Sequence, residues 1–90
     1  MVDKIMPDRS LNHNGSTINI YKANKGQGLP QHNHDYSHIT LCREGSCIVR
    51  REGESDIVLT KNKQVNLVAY NWHEIEALED GTVFVNMFFN

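Results

Sequence analysis

The chain of 90 residues holds only two cysteines, two prolines and one tryptophan. Two cysteines, Cys42 and Cys47, cannot build a disulfide scaffold, and with no sign of secretion both are expected as reduced thiols. No apolar run approaches the roughly 20 residues that a membrane-spanning helix needs. The opening Met-Val-Asp-Lys-Ile-Met lacks the basic flank and apolar stretch of a secretory signal, so a cytoplasmic protein is expected. Nine lysines and arginines stand against eleven aspartates and glutamates, for a formal net charge of -2. Only Arg50 and Arg51 are adjacent, which is no electrostatic footprint for nucleic acid or for a membrane surface. Ninety residues leave room for one domain and no second one. There is no internal repeat, no low-complexity tract, and no stretch with a 3.6-residue apolar period sustained over three turns.

What is present is short and β-like. Apolar alternation marks strands over residues 16–23, 38–43, 47–51, 57–60, 64–68, 73–78 and 83–89. Turn signals separate them every 8 to 12 residues (Glu44-Gly45, Glu52-Gly53-Glu54, Lys61-Asn62-Lys63, Glu79-Asp80-Gly81). That spacing predicts an all-β sandwich or barrel. Residues 1–15 are polar and read as an N-terminal arm or edge element ahead of a β domain over 16–90. Gly26, Gly28 and Pro30 read as a loop. The segment 83–89 is apolar on both faces, which predicts a strand with the domain interior on one side and a partner surface on the other.

Histidine is the anomaly. Five are present, three of them within seven residues: His32, His34 and His38. His32 and His34 share a face if the backbone is extended, and His38 joins them if the chain bends between Asp35 and Ser37. Imidazoles so placed suit zinc, copper, iron or nickel. The competing reading is a set of exposed loop histidines, which a lone histidine would favour. His73, 35 residues beyond His38, opens a strand of its own and becomes a fourth ligand only if that strand lies alongside. His13 sits in the polar arm with no motif around it. Thr40 and Cys42 share the face of His38 and are candidates to line a cavity, as are Tyr36 and Trp72. Asp35 opposes His34 in parity and reads as a turn residue or a support for the histidines. No catalytic residue is assigned.

The histidine segment resembles the first motif of the cupins, G-x5-H-x-H-x3/4-E-x6-G. Gly26, His32, His34, His38 and Gly45 fit every spacing, with His38 where most cupins have glutamate. In the second motif, P-x-G-x2-H-x3-N, His73 fits, whereas Val68, Tyr70 and Ala77 replace proline, glycine and asparagine. The resemblance spans about residues 21–88 and is to small single-domain cupins of the four-histidine subset. It implies an all-β jelly-roll barrel with a divalent metal (Fe, Mn, Ni, Cu or Zn) held inside by His32, His34, His38 and His73. It also implies a homodimer, with the N-terminal arm helping to pair the copies.

Four neutral imidazoles leave an ion its full 2+ charge, which favours anionic ligands and raises a metal's reduction potential. An octahedral ion would keep two positions open, whereas tetrahedral zinc would be closed. Two classes of function follow. The first is a metal-dependent oxidoreductase of dioxygenase type acting on a small organic substrate. The second is a non-catalytic module in which the metal helps hold a sugar or organic anion, or merely clamps the barrel.

Overall fold

In the computed structural model, residues 2–89 are described and form ten strands. Alternation decides which way each strand faces. In β5 (His38–Glu44), His38, Thr40 and Cys42 are buried while Ile39 and Leu41 are half-exposed. In β9 (His73–Ala77), His73, Ile75 and Ala77 are buried and Glu74 and Glu76 face outward. In β10 (Thr82–Phe89), Phe84 and Asn86 point inward.

The other strands are β1 (Asp3–Lys4), β2 (Arg9–His13), β3 (Ser16–Ala23), β4 (Gln27–His32), β6 (Cys47–Arg51), β7 (Glu54–Leu59) and β8 (Gln64–Leu67). They assemble into two five-stranded sheets, ordered β1-β4-β9-β6-β7 and β2-β3-β10-β5-β8. The expected all-β jelly roll is present as a sandwich of two sheets rather than as one hydrogen-bonded barrel. β1 and β2 place the N-terminal segment on an edge of each sheet, and β1 pairs with β4 in parallel. The core joins both sheets. Tyr21 and Phe84 stack with ring centroids 4.8 Å apart. Val49 and Ile75 come from the facing sheet and, like Phe84, are fully buried. Burying a side chain such as Phe84 contributes about 3 kcal/mol.

β7 starts three residues before the expected 57, inside the expected Glu52-Gly53-Glu54 turn, and a further strand departs from the sequence reading altogether. Gly26, Gly28 and Pro30 carry loop signals, yet residues 27–32 form β4 against β9. Gly28 lies so close to β9 that a Cβ would collide with the Ile75 carbonyl oxygen. Pro30 falls inside an irregularity between Leu29 and His32, where its missing N–H costs no ladder bond. Pairing resumes with His32 opposite His73. Gly45 is equally constrained, with a φ of 73° and with Thr82 pressed against it. It closes the β5–β6 connection and brings Cys42 and Cys47 together in the core.

Candidate metal centre

The β4–β9 register sets the first two candidate ligands. His32 ends β4, His73 begins β9, and their rings lie 4.5 Å apart. The chain then leaves the sheet. His34 stands in the connection to β5, and the bend at Asp35 and Tyr36 returns the backbone so that His38 opens β5 in the other sheet. The His34 ring lies 5.0 Å from that of His38 and 4.8 Å from that of His73. His38 and His73 are 5.0 Å apart. Four imidazoles thus meet across the sandwich from both sheets and one loop.

The connection is stitched in place. The Tyr70 N–H donates to the His34 carbonyl at 2.7 Å, and the Ala69 N–H donates to Ser37 Oγ at 3.0 Å. Tyr70 holds a φ of 71°, at the position where the second cupin motif has glycine. A bulky residue in that region carries backbone strain.

The rings are oriented as ligands need to be. His32 Nδ1 donates to the Pro30 carbonyl at 2.7 Å, His34 Nδ1 to the Tyr36 carbonyl at 2.7 Å, and His73 Nδ1 to the Asn71 carbonyl at 3.2 Å. A carbonyl only accepts, so each of these Nδ1 atoms carries a proton, which leaves Nε2 as the lone-pair donor of the neutral ring. Ligating atoms of His32, His34 and His73 all lie within 4.8 Å of one another. Buried Nε2 of His73, and both ring nitrogens of His38, have no hydrogen-bond partner. Orphaned buried nitrogens are costly; an ion held by the triad of His32, His34 and His73 would satisfy His73 Nε2, while His38 stands beside that triad and outside the set of close ligand atoms. Burial, then the neighbouring imidazoles, pushes His38 down to about 3. Burial, then His32 and His34, pushes His73 down to about 4. Burial also lowers His34. Burial thus holds His34, His38 and His73 toward the neutral form that donates lone pairs, a donor type that suits iron, manganese, nickel, copper or zinc.

A cleft of about 350 Å³ opens over His32, His34 and His38. Tyr36, one of the expected pocket residues, lines it, with its ring stacked on His34 at 4.0 Å and against Phe88 at 4.5 Å. Thr40 lies inside, next along the face of His38, and donates to Asn86 Oδ1 at 2.6 Å; Asn86 reaches the cleft. Cys42 packs in the apolar core, where burial raises its thiol pKa, and burial pushes Cys47 up to about 12. Trp72 lines a smaller hollow on the other side of His73, and its N–H donates to Glu52 at 3.2 Å. Asp35 and His13 do not line the cleft. Sequence reasoning passed over Asn19, Tyr21, Gln31 and Lys4, all of which do. Parity along β3 could have found the first two, since Asn19 and Tyr21 share the face opposite Ile18 and Ile20. No local signal marks Lys4, because it reaches the cleft only through the β1–β4 pairing.

No family model and no curated protein matches the sequence. Solved structures match its fold. KdgF from Halomonas sp. superposes with a TM-score of 0.82 at 20% identity, covering 90% of this chain and 74% of that one. A protein from Neisseria meningitidis gives 0.81 at 15% identity, covering 98% and 87%. A cupin protein from Bacteroides fragilis gives 0.73 at 21% identity, covering 87% and 68%. The fold is that of the cupins, and the histidine cluster lies between its two sheets.

Proposed function

We propose that the protein is a metal-dependent cupin enzyme, of oxidoreductase and dioxygenase-like type, acting on a small organic substrate bound in the cleft. The observation that carries this reading is the placement of the four imidazoles, which meet beneath an opening instead of being sealed in the core. A bound redox-active ion would act as a Lewis acid toward substrate oxygens and as a conduit for electrons. The chain's own part is to hold that ion with His32, His34, His38 and His73, to fix the tautomers of His32, His34 and His73 through backbone carbonyls, and to shape the cleft. Among the described residues no aspartate or glutamate lines the cleft, so no side-chain carboxylate is in place as a general base. Tyr36 and Phe88 give one wall a hydrophobic surface that limits water.

That lack of a base also favours a second reading, a non-catalytic module in which the metal helps retain a sugar or organic anion. Metal analysis of protein purified without chelators, beside His38→Ala, tests the shared premise. Near one iron, manganese, nickel or copper per chain, weakened in the variant, supports the enzyme. Oxygen uptake with a diketone or catechol panel then separates the two readings. Stoichiometric zinc without turnover supports the binding module. No metal uptake on reconstitution removes both.

Two copies are proposed to pair through the outer face of the second sheet. Ile18, Ile20, Leu41, Val83, Val85 and Met87 form a shallow apolar hollow there. The outer face of the other sheet is ionic instead, with Arg50 reaching Glu74 at 3.1 Å and Glu76 at 2.9 Å. An apolar sheet face of this kind favours cover by a second copy. Light scattering giving a dimer mass, and a monomer for Leu41→Glu, is the expected result; a monomeric wild type overturns the pairing.

A further inference from the structure

Lys4 reaches the cleft through tertiary structure alone. β1 runs parallel to β4 with Lys4 opposite Gly28. The pairing is held by the Asp3 N–H on the Gly26 carbonyl and the Ile5 N–H on the Gly28 carbonyl, both at 3.0 Å. Val2 is buried and Ile5 packs against the core, while Lys4 between them stays exposed to solvent beside Gly28. Lys4 thereby lines the cleft along with the histidines.

We propose that β1 completes a binding site for a small dicarboxylic acid, one end meeting the metal and the other end held by the Lys4 ammonium; this rests on the metal reading above. Three observations support it. Lys4 is the only lysine or arginine lining the cleft among the described residues, and no acidic side chain lines it to compete for the ammonium. Lys4 has no ion-pair partner among the described residues. The remaining polar lining, including Gln31, Asn19 and the Tyr21 phenol, offers hydrogen-bond donors suited to carboxylate oxygens. Burial raises the Tyr21 pKa, so its phenol stays a donor at neutral pH.

The dimensions agree. Gly28 and His32 are separated by roughly 13 Å of strand, so a lysine side chain of about 6 Å extended toward His32 would leave on the order of 7 Å between the ammonium and the histidine end. A chain of four or five carbons ending in two carboxylates spans that gap. At about 30 Å³ per small group, the cleft volume admits on the order of ten non-hydrogen atoms, the size of such an acid.

The test is calorimetric titration of the metal-loaded full-length chain with two acids that differ only at the far end. 2-Hydroxyglutarate carries the second carboxylate, and 2-hydroxypentanoate has a methyl group in its place. The shorter pair, malate and 2-hydroxybutanoate, checks the reach. Wild type is expected to prefer the dicarboxylate by about tenfold, the size of one charge-assisted hydrogen bond. Lys4→Ala should erase that preference while leaving metal content and affinity for the monocarboxylate unchanged, and Lys4→Arg should keep most of it. Equal binding of both acids by wild type overturns the anchor, as does a preference that survives Lys4→Ala or binding of neither acid. A wild-type chain that takes up no metal overturns the metal reading itself, and the anchor with it.

Discussion

The two ends of the sandwich interior are built on opposite principles. At one end Phe84 stacks on Tyr21 among Cys42, Cys47, Val49, Leu59 and Ile75, and the packing is apolar apart from the Tyr21 phenol at the cleft and the Cys42 thiol on the Glu44 and Gly45 carbonyls. At the other end, on the same strands, His38 and His73 are nearly as buried, yet three of their ring nitrogens have no partner. β5 and β9 each carry both environments, with His38 leading to Cys42 and His73 leading to Ala77. One end stabilises the fold by filling space. The other holds a cost that a bound ion would remove.

The largest expected effect comes from breaking the apolar end. Phe84→Ala should destabilise the protein by about 3–5 kcal/mol, a large share of the roughly 5–13 kcal/mol expected for a domain of this size. Metal bound per folded molecule should not change. Urea denaturation with parallel metal analysis reads both quantities.

Chelation breaks the polar end. A metal present at a thousand times its dissociation constant adds about 4 kcal/mol to the folded state. Dialysis against a chelator should therefore lower the melting temperature by many degrees, and re-addition of the metal should restore it. An unchanged melting temperature in a preparation shown to lose its metal would mean that the ion contributes nothing to the fold.

His38→Leu sharpens the comparison because its sign should depend on the metal. Without metal, the leucine removes two unpartnered buried nitrogens and should stabilise the chain by about 1–2 kcal/mol. With metal, the same variant should be less stable than wild type, since a ligand is gone. Destabilisation in both states would show that the His38 ring is needed for packing alone.

The smallest effect concerns the loop that closes the polar end. Tyr70→Gly should relieve the strained φ at the cost of a more flexible unfolded chain, for a net gain of about 0.5 kcal/mol. Its side chain is largely exposed, so little packing is lost. A thermal scan showing clear destabilisation would mean that the tyrosine makes a compensating contact.

Much of this was readable in the sequence. The strands at 16–23 and 47–51 begin and end where alternation predicts. The inward face of His38, Thr40 and Cys42 follows from parity, as does the bend at Asp35–Ser37 from the histidine spacing. β4 was hidden because glycine and proline are loop signals locally. Only the approach of Ile75 explains why Gly28 sits in a strand, and only the pairing gap explains Pro30. No helix among the described residues is long and apolar enough to cross a membrane.

By itself the sequence determined the class of fold, the inward face of β5 and the clustering of the histidines along the chain. Those properties follow from alternation and spacing, which act over a few residues. Tertiary structure decided the register that sets His32 against His73, the approach of His38 from the other sheet, and the arrival of Lys4 at the cleft. These depend on pairings between residues tens of positions apart, such as β4 with β9 and β1 with β4, and no local pattern encodes which distant strand becomes a neighbour.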